Sequence, residues 1–179
     1  MKKLTHTQTL TLSAMFLALA YVLPFFTGQI PQIGSMLCPM HIPVILCGFL
    51  CGWPWGLAVG FLAPLLRSVT LGMPPLFPTA VCMAFELATY GTVSGLLHKS
   101  FSKNKWHVYA SLLISMITGR FVWGTAMFIC MGITGGSFGF SAFIAGAVTN
   151  ALPGIVIQII LIPILVIFLE KADIGVYSS

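Results

Sequence analysis

Charge is what this sequence has least of. Only three of its 179 residues are Asp or Glu and eight are Lys or Arg, so charged residues make up 6% of the chain, against 58% hydrophobic residues. Soluble domains carry about a quarter charged residues, and the mean hydropathy here is +1.03. These values exclude an ordinary soluble domain. They predict an integral membrane protein with room for five or six spanning helices of about 20 residues each.

Motifs for metal, redox and nucleotide chemistry are missing as well. The five cysteines include no CxxC pair and fall mostly inside apolar segments, so they are expected to be packing residues. No phosphate-binding loop is present, and any ATP must therefore be hydrolysed by another chain. The basic residues stand at the ends of apolar segments without forming a stripe, which disfavours a nucleic-acid partner. The sequence predicts neither a cofactor nor a metal site.

One enzyme-like pattern is present, GGSFG from Gly135 to Gly139, which matches the G-x-S-x-G nucleophile motif. That motif requires a strand–turn–helix context, whereas here it falls in a loop between two apolar segments. An intramembrane serine protease stays open as the enzymatic alternative, and it would need a serine on a buried helix facing a histidine on another. A stand-alone secondary carrier is the other alternative, although the chain lacks the series of Asp, Glu and His expected of a proton-coupled carrier.

Proline, glycine and polar clusters divide the chain into six apolar segments, which predict a single all-α membrane domain over residues 1–179 with six transmembrane helices. The first apolar run meets no small-residue cleavage site, so it is predicted to be a retained helix rather than a signal peptide. Pro153 and Pro163 are expected to bend the last span. The predicted spans are Thr9–Phe26, a short one beginning near Met40, one from the CGWPWG turn to Leu71, Thr79–Leu97, Trp106–Met131 and Ala142–Leu169.

The lysines predict the orientation of these spans. With six spans, both termini, the WPWG turn and the HKSFSKNK loop share one side, and that side holds all six lysines of the chain. The positive-inside rule then places both termini in the cytoplasm. The three longer loops, rich in Gly, Pro, Ser and Thr, face outward and are expected to close an outward-facing ligand cavity.

Three ionisable residues interrupt the apolar spans: Arg67, Glu86 and Arg120. Counted from the cytoplasmic ends of their segments, all three are twelve to fourteen residues deep, or about 18–21 Å at about 1.5 Å per residue. Each would cost about 2.5–3.5 kcal/mol if it faced lipid, so they are expected to point inward. Glu86 is expected to pair with one of the two arginines.

The second arginine leaves a positive charge with no acid to neutralise it. A guanidinium suits a carboxylate or phosphate, which suggests an anionic ligand. The alternative is that the spare arginine, Arg67 above all, extends to the outer interface. Three further residues are candidates for ligand contact. They are His41, which begins the second span, Asn150 and Trp123. For His41 the alternative is a structural role. Asn150 could instead form a hydrogen bond to a neighbouring helix, and Trp123 could instead be a packing residue.

Pairs of small residues spaced by four recur in the spans. They are Ala14 and Ala18, Gly56 and Gly60, and Gly91 and Gly95. Such pairs permit close helix contact, and packing within the bundle is the default expectation for them.

Taken together, the sequence resembles the substrate-specific (S) components of energy-coupling factor (ECF) vitamin transporters. The resemblance covers nearly the whole chain. The segments that carry it are AMFLA in the first span, the run from MHIPVILCGFLCGWPWG to LRSVTLGMPPLFPTAVCMAFELATYG, ISMITGR, and TNALPGIVIQIILIPILV.

The resemblance implies a high-affinity binding subunit without catalytic activity, located in the bacterial plasma membrane. Such a subunit captures a vitamin or vitamin precursor outside and docks on a membrane coupling subunit joined to two ATPases. It implies that Ala14 and Ala18 bind that partner, and that loops Gln29–Pro39, Gly72–Pro78 and Thr134–Phe140 act as lids. The excess of two intramembrane arginines over one glutamate favours acidic cargo such as pantothenate, niacin, a folate or a phosphorylated B6 form. The resemblance implies that Glu86, Arg120, Trp123 and Asn150 are pocket residues. The predicted set of substrate-binding residues adds four more, Gln32, His41, Arg67 and Phe77.

Overall fold

The computed structural model describes residues 5–27, 36–100, 105–136 and 139–172, and within these ranges the chain forms helices and turns without a strand. A 3-10 turn, Leu23–Thr27, extends the first helix, and π-helical turns occupy Leu76–Ala80 and Ala145–Thr149. This confirms the all-α fold class. The α-helices are α1 His6–Val22, α2 His41–Cys51, α3 Trp53–Leu71, α4 Val81–Ser100, α5 Lys105–Ile133, α6 Phe140–Ile144 and α7 Leu152–Lys171.

Five helical segments of the described chain are long and apolar enough to cross a membrane: α1 with its 3-10 extension, α3, α4 with the preceding π turn, α5 and α7. The second predicted span is α2, which has only 11 residues and a length of about 16 Å. A bilayer core is about 30 Å thick, so α2 alone does not cross it. Gly52 ends α2 with a φ of 91°, and this left-handed residue makes the sharp turn into α3.

The last predicted span needs a correction. It is not one bent helix, because α6, the π turn Ala145–Thr149 and a turn at Asn150 and Ala151 precede α7. Pro153 lies in the first turn of α7 rather than inside a longer helix. Its ring presets a helical φ, and its missing N–H costs nothing in a first turn, so it starts the helix. Pro163 does lie inside α7.

Helix α2 is the centre of the bundle. Ten of its eleven residues are buried, and it contacts α1, α3, α4 and α7. Glycines allow this close packing: a Cβ on Gly91 of α4 would collide with the backbone of Gly56 on α3, and one on Gly95 with backbone atoms of Gly48 and Trp53. The glycine pairs therefore serve packing within the bundle, as expected. The five cysteines are buried and unbridged.

A close side-chain contact joins the C-terminal ends of α4 and α7. His98 Nε2 lies 2.8 Å from Glu170 Oε1, and His98 Nδ1 lies 3.2 Å from Nε2 of His107 near the start of α5. These three helix ends therefore share one end of the bundle. It is the end that carries Lys99 and Lys171, which the lysine distribution predicts to be cytoplasmic.

Candidate functional site

Glu86 lies at the centre of a buried polar cluster built from three helices. Its Oε1 accepts a hydrogen bond from Tyr90 Oη at 2.8 Å and forms an ion pair with Arg120 Nη1 at 3.0 Å. His41 Nε2 lies 3.5 Å from the same oxygen. Glu86 is only 1% exposed. A buried carboxylate of this kind is stable only when charge and hydrogen bonds compensate it, and α2, α4 and α5 each contribute to that compensation.

Local sequence explains how these groups meet. Glu86 and Tyr90 are four residues apart on α4, so they share a helix face. The Tyr90 ring lies where a Cβ on Gly119 of α5 would be. Because Gly119 has no side chain, the ring fits against α5 directly beside Arg120, and the guanidinium reaches Glu86.

His41 is the first residue of α2, and its ring centroid lies 5.2 Å from that of Tyr90. The histidine is 2% exposed, and neither ring nitrogen has a well-formed hydrogen bond among the described residues. The 3.5 Å contact with Glu86 is an ion-pair distance that lies beyond good hydrogen-bond geometry. His41 therefore belongs to the cluster, and its two ring nitrogens remain able to form further hydrogen bonds.

Arg120 connects the cluster to the segment that precedes α2. Its Nη2 lies 3.8 Å from Cys38 Sγ, and its side chain, 16% exposed, is far more accessible than that of Glu86. The same short segment contacts α7, because Gly154 packs on the backbone carbonyls of Met36 and Leu37. Residues 36–38 thus join α5 to α7 beside the cluster.

Arg67 has a different environment. Its Nη1 donates a 2.8 Å hydrogen bond to the backbone carbonyl of Tyr21 near the end of α1, and its guanidinium lies 5.0 Å from the centroid of the Phe25 ring. Arg120 is therefore the arginine that pairs with Glu86. The two-arginine cluster suggested by equal depth does not form, because Arg67 is directed toward α1 rather than toward α5.

The other predicted residues are distributed as follows. Trp123 stacks on Phe143 at a centroid distance of 6.4 Å and covers Gly146, which is a packing arrangement. Phe77, in the π turn Leu76–Ala80, is 47% exposed, and Asn150 is exposed in the turn before α7. Neither of them joins the Glu86 cluster. Gln32 and Ser137 lie outside the described residues.

Sequence reasoning missed Gln158 of α7. It is 2% exposed, and its Nε2 has no hydrogen-bond partner among the described residues. The available signal was an uncharged polar residue in the middle of a span rich in Ile and Leu, and attention to charged residues passed over it. Tyr90 and Cys38 were missed too, because each has its role only through Glu86 or Arg120.

An apolar groove of about 540 Å³ lies between α4 and α5. Glu86 and Arg120 are not part of its lining, which consists of Val81, Phe85, Thr118, Phe121, Val122, Thr125, Ala126, Ile129 and Cys130. Within the described ranges, no group of three or more His, Cys, Asp or Glu side chains is arranged to hold a metal ion. The polar cluster is therefore the candidate site, and hydrogen bonding and charge are its chemistry.

Comparison with known proteins gives one finding. The family model described as "ECF transporter, substrate-specific component" matches residues 8–166 of the chain. No curated protein and no solved structure gives a match.

Proposed function

The chain belongs to the substrate-specific components of ECF transporters, and from that premise we propose that it captures a vitamin or vitamin precursor outside the cell and releases it inside. It is the substrate-specific membrane subunit of an importer, a transport subunit rather than an enzyme. In this proposal a membrane coupling subunit and two ATPase subunits supply the energy, and the membrane is the bacterial plasma membrane.

The observation that carries the proposal is the buried cluster of Glu86, Arg120, His41 and Tyr90. Desolvating such groups is costly, and replacing a buried ion pair by apolar residues is often neutral or stabilising. A hydrophobic bundle gains little from keeping them for stability alone. The partly exposed Arg120 side chain gives cargo an approach to the otherwise enclosed carboxylate.

We propose the topology with six membrane-embedded segments and both termini in the cytoplasm. The six lysines support this orientation, as does the pairing of His98 with Glu170 at the lysine-bearing end of the bundle. The outward loops then lie at the same end as residues 36–38 and the start of α7. We propose that loops Gln29–Pro39, Gly72–Pro78 and Thr134–Phe140 serve as lids, as the family resemblance implies; residues 29–35 and 137–138 of these loops lie outside the described residues.

We propose an acidic cargo, with Arg120 as the residue that meets its acid group. Glu86 and Arg120 neutralise each other, and Arg67 has its own partners on α1. The case for an anion therefore rests on the donor atoms of Arg120 and His41 rather than on a second arginine. A guanidinium binds a carboxylate or phosphate in addition to its protein partner because it offers five N–H donors. Pantothenate, niacin, a folate and a phosphorylated B6 form are the cargo candidates.

The test is to purify the protein from cells, extract bound small molecules and identify them by mass spectrometry. We expect a vitamin or precursor in the wild type and its loss in the double variant Glu86→Gln/Arg120→Met. This double change removes both charges and so leaves neither of them buried alone. Glu170→Gln is the matched control, because it alters the other described glutamate, at the far end of the bundle, and retains the cargo.

A wild-type protein that binds no vitamin, or a double variant that still binds it, would contradict the proposal. Uptake into cells separates the two transport mechanisms, since an S component needs co-expressed coupling and ATPase subunits and a stand-alone carrier does not. Labelling of Ser137 by a serine-reactive probe would favour the protease alternative.

A further inference from the structure

Gln158 belongs to a buried stripe along α7. Gly154, Gln158, Ile162 and Val166 are buried and follow one another at intervals of four, so each lies about one turn from the next and the buried stripe winds slowly around the helix. The next position in this series is Glu170, which pairs with His98 of α4. Gln158 itself is only 2% exposed, so its side chain is turned toward the interior of the bundle, and lipid does not reach its amide.

Gln158 also lies at the height of Glu86. The contact between His98 and Glu170 places the cytoplasmic ends of α4 and α7 at the same height. Glu86 lies twelve residues before His98 on α4, and Gln158 lies twelve residues before Glu170 on α7. At about 1.5 Å per residue, each is about 18 Å from that pair. One turn beyond Gln158, Gly154 contacts the segment that also touches Arg120 through Cys38. Four helices thus bring polar groups to one level of the interior.

The buried atoms without a partner at this level are nitrogen atoms. Among the described residues, those of His41 (Nδ1 and Nε2), Arg120 (Nε) and Gln158 (Nε2) lack a well-formed hydrogen bond. The arginine and glutamine atoms are donors only, and each neutral or charged histidine ring offers at least one donor. A buried donor without a partner costs free energy, and a ligand with acceptor oxygens removes that cost.

We propose that Gln158 is a substrate-contacting residue, and that it donates a hydrogen bond from Nε2 to an oxygen of cargo whose acid group meets Arg120. This inference rests on the proposed function and extends it. The site then selects cargo with a carboxylate or phosphate at one position and a second acceptor oxygen within reach of α7. Cargo without acceptor oxygens leaves the donors unpaired and is rejected.

The experiment uses the purified, cargo-free full chain in lipid nanodiscs, with Gln158→Leu and Gln158→Glu as variants. The probes are pantothenate, nicotinate, folate and pyridoxal phosphate, each titrated by calorimetry. We expect one of them to bind the wild type, and each variant to weaken that binding by about 10-fold or more, because the cargo oxygen that Gln158 contacts is then buried without a donor. In the absence of probe, Gln158→Leu raises the unfolding midpoint by about 2–4 °C, because it removes an unpaired buried amide.

Ser111→Ala is the matched control. Ser111 is buried on α5, and its Oγ also has no hydrogen-bond partner among the described residues, but it lies nine residues before Arg120. We expect this variant to raise the unfolding midpoint and leave probe affinity unchanged. A raised unfolding midpoint with unchanged affinity is the effect of removing an unpaired buried group. A loss of affinity, as expected for the Gln158 variants, is the effect of removing a cargo contact.

Three results would overturn the inference. The first is unchanged probe affinity in both variants, which would mean that the Gln158 amide binds an internal water instead of cargo. The second is a lower unfolding midpoint for cargo-free Gln158→Leu. The third is that none of the four probes binds. If none of the four binds but a neutral vitamin co-purifies with the wild type, the inference and the proposed acidic cargo fail, while the proposed capture of a vitamin stands. If no vitamin binds at all, the proposed function fails with it.

Discussion

Two arginines at similar depth have different roles in this protein. Arg120 forms an ion pair with Glu86 at 3.0 Å, whereas Arg67 donates to the Tyr21 carbonyl at 2.8 Å. The last carbonyls of a helix have no partner within it, so a guanidinium near the end of α1 satisfies one of them and complements the helix dipole. Arg67 thereby links α3 to the end of α1, where the chain enters the first loop.

The variant Arg67→Met tests this assignment at the level of one residue. We expect it to lower the free energy of unfolding by about 1.5–3 kcal/mol, since a hydrogen bond to a charged group is lost. Cargo affinity stays within about twofold of the wild type. Thermal unfolding and cargo titration on the same preparation provide the measurements. A large loss of affinity at unchanged stability would instead return Arg67 to the binding site.

Helices α2, α3 and α4 approach each other closely through glycines. A Cβ on Gly60 would meet the backbone at Leu87, and one on Gly48 would meet Gly91 and Ser94. This packing holds α4 rigidly against the central helix, and Glu86 and Tyr90 project from α4. The geometry of the polar cluster therefore depends on close backbone contacts that lie outside the cluster.

Gly91→Ala tests this dependence. The added methyl collides with backbone atoms of Gly56, which cannot rotate away, so we expect a loss of about 1–3 kcal/mol of stability. Gly132→Ala on α5 is the control, because a Cβ there meets nothing within 4 Å. In that helix Ala is favoured over Gly by about 1 kcal/mol. Equal unfolding midpoints for the two variants would show that the glycine contact is not tight.

For the molecule as a whole, α1 presents one face to the bundle and another outward. Thr9, Ser13, Phe16 and Ala20 are buried, while Ala14 and Ala18 are exposed on the opposite face. Unlike the glycine pairs, these two small residues are not buried against the described part of the chain. Their exposure supports the proposal that the coupling subunit docks on this face, since small residues allow a second helix to approach closely.

Bulky substitutions on α1 test the docking proposal. We expect Ala14→Trp/Ala18→Trp to fold and bind cargo normally but to lose assembly with co-expressed coupling and ATPase subunits, and with it vitamin uptake. Leu19→Trp is the control, because Leu19 is also exposed but lies about 120° around the helix from the alanine pair. Pull-down of the complex and uptake by whole cells are the readouts. Normal assembly of the double variant would place the docking face elsewhere.

Much of the fold follows from local features of the sequence. The membrane class, the short second helix and the glycine contacts were predicted, and the family resemblance is confirmed by the match over residues 8–166. The break before α7 was not predicted, because Pro153 fits both a kink and a first turn. Of the candidate site residues, Glu86, Arg120 and His41 meet, but Trp123 packs on Phe143 and Asn150 stays exposed.

By itself the sequence predicted a membrane protein and the positions of its polar groups along the helices. Composition and residue count along a helix can be read without knowing how the chain packs. Only the tertiary structure decided that Glu86 pairs with Arg120 and not Arg67, and that Gln158 faces the same interior. Those outcomes depend on how each helix is rotated about its axis and which neighbour it faces. Rotation and neighbours are set by packing between residues far apart in the chain, such as Gly91 on Gly56 and Tyr90 on Gly119.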